Sequence, residues 1–144
     1  MSTNLYETDV HAWSQRQVDL LRAEEFAEVD WTHVIEEIES LGTTQRHELR
    51  NRLIILLMHL LKWQYQPELQ SRSWQATITV QRDDLELLLD DNPSLRARLS
   101  EFVNEAYGRA VKRAVSETGL RKSTFPSECP YAPAQVLDEE FWPA

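Results

Sequence analysis

The stretch "LIILLMHLLKWQYQPE", Leu53 to Glu68, decides the fold. Its first nine residues are apolar almost all round a helix, which is typical of a central helix covered by others on most sides. Pro67 marks its C-terminal end, because the residue before a proline is disfavoured in a helix. His59 and Lys62 interrupt the apolar run, and the question is whether they do chemistry or only serve the fold.

Two shorter helices are predicted before this segment. The first runs from about Asp9 to Arg22, and Gln17 interrupts its apolar side. The second follows the N-cap residue Asp30 and stops at Gly42, the residue type that commonly ends helices at the C′ position. The central helix then begins near Thr43 or Thr44. The second helix carries a stripe at helical spacing that we expect to be buried: Trp31, Val34, Ile35, Ile38 and Leu41.

The second half of the chain predicts two further helices and a tail. Helix four begins at Ser71 or Ser73 and reaches Asn92, which caps a fifth helix that continues to Gly119. Proline at the first position of that helix, Pro93, fits its known preference. The tail is rich in turns, with one short helix around residues 134–137, and its aromatic residues suggest that it folds back. We therefore predict an all-α, up-down bundle of about five helices forming a single domain over residues 1–144.

Composition excludes several classes of protein. The 144 residues are 42% hydrophobic and 27% charged, a balance typical of a globular domain. The net charge of −9 argues against nucleic-acid binding, because it repels the phosphate backbone. Residues 1–41 hold 10 acidic and 2 basic side chains, whereas residues 96–122 hold 7 basic and 3 acidic ones. This asymmetry could serve packing between the ends, self-association or an anionic ligand, or it could reflect solvated helix faces.

The number of cysteines and the hydropathy of two segments indicate the expected cellular compartment. Cys129 is the only cysteine, so no disulfide forms within the chain, which suits a reducing compartment. We expect a packing residue whose pKa is raised by the neighbouring Glu128. The opening "MSTNLYETDV" is polar and acidic, unlike a secretory signal, and the apolar run Leu53–Leu61 is half as long as a membrane span. These features predict a cytoplasmic protein without a membrane partner.

Polar residues spaced by three and four form one face of the central helix, and His59 and Lys62 belong to it. In an antiparallel hairpin with helix four, His59 would lie near Thr79, with Asp83 one turn along. One interpretation is structural: a core histidine satisfied by Thr79 or Asp83, and a lysine that favours the helix C-terminus. The alternative is a shallow site for an anion or a nucleobase, lined by aromatic and polar residues. Its candidate residues are His59, Lys62, Trp63, Gln66, Trp74 and Arg82.

Metal and nucleophilic chemistry find less support. Helical bundles hold metals with Glu and Glu-x-x-His pairs on facing helices. His33 lies beside Glu36 and Glu37 in the reverse order, and no second pair appears at helical spacing. No serine stands in a strand–turn–helix elbow. A metal-binding bundle remains a second alternative, but we assign no metal, cofactor or catalytic residue. An interaction or regulatory module is favoured over an enzyme, with a homo-oligomer or another protein as partner.

Exposed aromatic residues are enriched at protein interfaces, and the C-terminal "FWPA" is the predicted place for one. Six blocks then carry a resemblance over Tyr6–Pro143: "YETDVHAW", "EEIESLG", "LLMHLLKWQYQPE", "SWQATI", "ETGL" and "FPSECPY". In this order and spacing the chain resembles the bacterial family known as domain of unknown function twenty-nine. The resemblance implies an all-helical bundle in a bacterial cytosolic protein. It implies no activity, substrate or cofactor.

Overall fold

The computed structural model describes residues 4–144, within which the regular structure is helical. Its α-helices are α1 (Leu5–Thr8), α2 (Val10–Arg22), α3 (Trp31–Tyr65), α4 (Arg72–Asp91), α5 (Pro93–Arg96), α6 (Leu99–Thr118) and α7 (Pro133–Leu137). Short 3₁₀ turns occur at Phe26–Glu28, Pro67–Leu69 and Lys122–Thr124. The all-α class is confirmed. The described residues form two compact units, residues 4–44 (the N-terminal unit) and residues 45–144 (the C-terminal unit).

Helix α3 runs through Gly42 without a break, so the predicted stop at this glycine and the predicted start at Thr43 or Thr44 are wrong. Glycine inside a helix costs only about 1 kcal/mol relative to alanine. A break would instead leave up to four carbonyls and four N–H groups without helical partners. Because the residues after Gly42 include good helix formers such as Gln45 and Arg46, continuing the helix is the cheaper outcome.

In the N-terminal unit, α2 buries Trp13, Gln17 and Leu20. Gln17 does not interrupt this face, since its Oε1 accepts a hydrogen bond from the backbone N–H of Asp30 at 2.8 Å. The indole Nε1 of Trp13 donates to Asp30 Oδ2 at 3.0 Å. The other carboxylate oxygen of Asp30 accepts from the backbone N–H of His33 at 3.4 Å. Asp30 therefore occupies the predicted N-cap position of α3. Asp30 thus ties α2 to the first turn of α3.

The hydrophobic core of the C-terminal unit is built from α3, α4, α6 and the tail. Its fully enclosed side chains include Leu49, Leu53, Leu56, Leu60, Ile78, Leu85, Leu89, Ala106 and Ala110. The predicted cap of α4 is confirmed, because Ser71 Oγ accepts from the N–H of Trp74 at 3.2 Å. The predicted fifth helix is divided into α5 and α6 by a break at Ala97–Arg98, and Gly119 ends α6 in the left-handed conformation (φ 73°).

The tail folds back onto this core, as predicted. Phe125, Tyr131 and Val136 are buried in it. Tyr107 Oη donates to the carbonyl of Pro126 at 2.6 Å, and Tyr131 Oη donates to Gln64 Oε1 at 2.7 Å. None of the helices within residues 4–144 combines the length and the apolar character needed to cross a bilayer.

Candidate functional site

Lys62 lies buried in the C-terminal unit, where two partners compensate its charge. Its Nζ is 3.0 Å from Glu117 Oε1 on α6 and 4.7 Å from the centre of the Trp74 ring on α4. The lysine side chain is 8% exposed, whereas that of Glu117 is 48% exposed. A cation between a carboxylate and an aromatic face is a stable arrangement without any ligand.

His59, one turn before Lys62, is half-buried, and its Nδ1 lies 2.8 Å from the Ile55 carbonyl oxygen. A carbonyl only accepts, so Nδ1 carries the proton. The partner is therefore the histidine's own helix, and the predicted pairing with Thr79 or Asp83 is wrong. Burial lowers the pKa of His59, and the nearby Lys62 ammonium lowers it further, while Glu117 opposes the shift. The imidazole is neutral at pH 7.

Arg82 is the most completely buried charged residue, with 1% of its surface exposed. Its Nε donates to the Val136 carbonyl at 2.9 Å and its Nη2 to the Gln135 carbonyl at 3.3 Å, in the last turn of α7. The remaining nitrogen, Nη1, has no hydrogen-bond partner among the described residues. Burial lowers the pKa of Arg82, and Asp138 acts in the opposite direction. The guanidinium thus fastens the tail to α4.

Trp142 packs against two of the predicted site residues, the aromatic Trp63 and the charged Arg82. Its ring centre lies 4.7 Å from that of Trp63 and 5.5 Å from the Arg82 guanidinium carbon. Trp142 and Phe141 are half-buried against the core, so "FWPA" packs inward. Gln66 bonds through its backbone: its N–H donates to the Lys62 carbonyl at 2.9 Å, and its carbonyl accepts from the N–H of Leu69 at 2.9 Å.

Four of the six predicted site residues therefore lie in two packed clusters: Lys62 contacts Trp74, and Trp142 packs on both Arg82 and Trp63. His59 and Gln66 bond within their own segment and join neither cluster. The antiparallel pairing of α3 and α4 is confirmed by the Lys62–Trp74 contact and by the 2.9 Å ion pair of Arg52 with Asp84. Two members were missed: Glu117 and Trp142. Each lies within or beside a sequence block, yet no spacing rule links them to residues more than fifty positions away.

An exposed apolar surface lies elsewhere, on the first part of α3. Trp31, Ile35, Ile38 and Leu41 (hereafter the α3 stripe) are 46%, 51%, 63% and 68% exposed, and Val34 is half-buried. The predicted burial of this stripe is wrong. Spacings of four, three and three residues place its members on one side of the helix. The exposed side chains of Glu36 and Glu39 line a cavity with Tyr6 along one edge of the stripe, where Glu39 lies one helical turn after Ile35.

The opposite side of the same helix contacts the rest of the N-terminal unit through polar side chains. His33 stacks on the Tyr6 ring with centres 3.9 Å apart, and Tyr6 Oη donates to a carboxylate oxygen of Glu37. This hydrogen bond is the main cause that raises the pKa of Tyr6 to about 12. His33 Nδ1 lies 2.7 Å from Asp30 Oδ2, which raises the pKa of His33 and lowers that of Asp30. Polar pairing, and not hydrophobic burial, holds this turn of α3 in place.

Trp31 is exposed but fixed. Its Nε1 donates to the Phe26 carbonyl at 2.9 Å, and its ring centre lies 6.5 Å from the ring of Phe26, which is 50% exposed. An aromatic side chain that is already ordered loses little conformational entropy when a partner covers it. Tryptophan is also the residue type most enriched among the energetically dominant positions of interfaces.

Two further candidates for chemistry, His33 and Cys129, already have partners within the fold. His33 is paired with Asp30, and no group of three or more His, Cys, Asp or Glu residues that could hold a metal occurs within residues 4–144. Cys129 is half-buried and its Sγ donates to the Tyr131 carbonyl at 3.5 Å. Its pKa is raised, as expected, but the cause is burial and not the charge of Glu128.

The described residues define a small all-helical protein in which Lys62, His59 and most of the Arg82 guanidinium are paired within the fold, and in which the first part of α3 exposes an apolar face. The chain belongs to the family described as domain of unknown function DUF29, whose model matches residues 5–142. No curated protein and no solved structure matches the chain.

Proposed function

We propose that this protein is a cytoplasmic protein-interaction module whose binding face is the α3 stripe. One observation carries the proposal. The N-terminal part of α3 directs Asp30, His33 and Glu37 towards its own unit and leaves four large apolar side chains exposed on the other side. Contiguous exposed apolar surface bordered by polar residues is typical of a protein-binding site.

Charge restricts the chemistry of the partner. Residues 1–41 hold 10 acidic and 2 basic side chains, and two of the acidic ones, Glu36 and Glu39, are exposed along one edge of the stripe. Like charges facing each other across an interface cost free energy, whereas opposite charges favour the encounter. The partner surface is therefore apolar at its centre and basic at its rim.

The alternative, a ligand site around His59 and Lys62, finds less support in the same contacts. A free anion would have to displace Glu117 from Lys62 and would meet the carboxylates that face Arg82, Asp138 among them. We propose instead that these residues have a structural role. His59 and Lys62 are parts of the fold, and Arg82 holds the tail.

Photo-crosslinking in the native host tests the interaction. A photoreactive amino acid replaces Ile38 in one variant and Leu87, an exposed residue of α4 (58%), in a matched control. We expect one defined adduct from position 38, identified by mass spectrometry of the purified product, and none of that mass from position 87. Equal, diffuse labelling from both positions would overturn the proposed function.

A further inference from the structure

A groove runs along α6 in the C-terminal unit, and its first part is mostly apolar. It begins as a cavity of about 560 Å³ between α6 and the segment that follows it. An adjoining cavity of about 470 Å³ shares Tyr107, Gly108 and Ser127 with the first and extends it towards Asn104 and Glu128. The first cavity is lined chiefly by Tyr107, Gly108, Val111, Lys122, Phe125 and Pro126. A groove of this size accepts several side chains of another protein.

Gly108 lies in the middle of α6, where glycine is unfavourable by roughly 0.5–1 kcal/mol relative to alanine. A Cβ added at this position would meet nothing within 4 Å. The fold itself therefore does not need a glycine here. A glycine on the wall of two adjoining cavities does allow another molecule to approach the helix backbone closely.

The first cavity has lysines at its rim, whereas Glu128 lines the adjoining one. Lys122 lines the first cavity, and Lys112 lies one helical turn after Gly108 on the same side of α6. Both side chains are exposed and neither makes an ion pair with a described residue. Residues 96–122 as a whole hold 7 basic and 3 acidic side chains.

We propose that this groove is the partner of the α3 stripe, and that the stripe of one molecule docks into the α6 groove of a second copy. The inference rests on the proposed function, because it names the partner of the same stripe. The two surfaces match in both respects that the partner requires. One is an apolar ridge with Glu36 and Glu39 along one edge, and the other is the apolar first cavity with Lys112 and Lys122 beside it.

The contact is heterologous, since two different surfaces meet. Damage to either surface therefore abolishes association of that variant with itself. A molecule with a damaged stripe still has an intact groove, and a molecule with a damaged groove still has an intact stripe. A mixture of the two variants restores one complete contact, which a contact between two identical surfaces would not do.

The experiment is sedimentation velocity on four purified full-length proteins: wild type, Ile38→Glu, Gly108→Glu and the control Val80→Glu at an exposed position of α4. Circular dichroism confirms that each is folded. Gly108→Glu places a carboxylate in the groove at a position where the fold has open space, and Lys122→Glu serves as a second groove variant if it does not fold.

We expect wild type and Val80→Glu to associate, and Ile38→Glu and Gly108→Glu each to associate about tenfold more weakly or worse. An equal mixture of these two variants is expected to form a species of two chains. The inference is overturned if the mixture stays monomeric, if Gly108→Glu associates like wild type, or if wild type is monomeric. In those cases a crosslink from position 38 to another protein would leave the proposed function standing. If Ile38→Glu associates normally and position 38 gives no crosslink, both the proposed function and this inference are wrong.

Discussion

The Tyr6 ring stacks on the His33 imidazole, with ring centres 3.9 Å apart and planes 19° apart. This stacking fixes which side of α3 faces the N-terminal unit. Asp30 and Glu37 complete the contact by binding His33 and Tyr6, respectively. Because polar groups occupy the inner side, the apolar side chains of the α3 stripe are left exposed.

The Asp30–His33 pair makes the stability of the N-terminal unit depend on pH. The pKa of His33 is raised above 6.5, so its contribution is complete below pH 6.5 and is lost as the pH rises through the folded-state pKa. The pKa of Asp30 is lowered below 3.8, so its contribution is present above pH 3.8 and is lost as the pH falls through the folded-state pKa. Stability from this pair is greatest between those limits.

We therefore expect the thermal unfolding midpoint of wild type to decrease as the pH rises above about 6.5, because His33 then loses its proton. In His33→Gln this fall should be smaller, because no imidazolium is lost. His47→Gln, an exposed histidine later in α3, is the control and should keep the wild-type slope. Identical slopes for wild type and His33→Gln would show that the pair does not contribute.

The Lys62–Glu117 pair predicts unequal costs for its two members. Glu117→Gln leaves a buried ammonium without its carboxylate, and we expect a loss of about 1–2 kcal/mol in the free energy of unfolding, moderated because Glu117 is half exposed. Lys62→Met removes the charge and keeps the apolar stem on Trp74, so it should cost less. Denaturant titration measures both, with Glu105→Gln, from an exposed 3.5 Å pair with Arg50, as a nearly neutral control. A larger loss for Lys62→Met than for Glu117→Gln would contradict this interpretation.

Arg82 predicts loosening of the tail. Arg82→Lys cannot donate to both the Val136 and Gln135 carbonyls, because an ammonium lacks the planar fork of a guanidinium. We expect a loss of about 1–3 kcal/mol, chiefly from the Val136 carbonyl, because the Gln135 carbonyl still accepts from the N–H of Asp138. Near-ultraviolet circular dichroism should change as well, since Trp142 packs on Arg82 and Trp63. The exposed Arg96→Lys substitution is the control, and an unchanged aromatic spectrum in Arg82→Lys would refute the role.

Glu24 predicts a stabilising substitution. It adopts the left-handed conformation (φ 57°) after α2. The N–H of Glu25 donates to the Leu20 carbonyl, and the N–H of Glu24 donates to the Leu21 carbonyl. This is a Schellman ending, whose C′ residue is usually glycine. Glu24→Gly should raise the free energy of unfolding by about 0.5–1 kcal/mol, since left-handed backbone costs other residues about 1–2 kcal/mol. Ala23→Gly, in the ordinary helical region, should instead destabilise, and the opposite order would exclude this explanation.

Local signals predicted the helices well, because caps and glycine or proline stops act within a few residues. Ser71, Pro93 and Gly119 all mark helix ends where expected. Gly42 failed because its cost is smaller than that of breaking a long helix. Periodicity placed Trp31 to Leu41 on one side of a helix but could not tell whether that side is buried or exposed, since both have the same apolar spacing.

The interior pairs were predicted only in part. The α3–α4 hairpin brought Lys62 to Trp74 because one short turn connects those helices. Glu117 and Trp142 approach through longer connections, where spacing fixes no register. His59 was expected to need a neighbouring helix, although its own Ile55 carbonyl satisfies it.

The most direct test of the proposed interaction is hydroxyl-radical footprinting of the protein inside its native host. Ile35, Ile38 and Leu41 of the α3 stripe are compared with Val80 and Leu87, which are 53% and 58% exposed in the same chain. In cells, we expect the stripe residues to be oxidised several-fold less than the two α4 residues. In the purified protein, diluted until it dissociates, we expect both groups of residues to be oxidised equally readily. Oxidation of the stripe in cells at the rate set by its exposure would contradict a protein-binding role for this face.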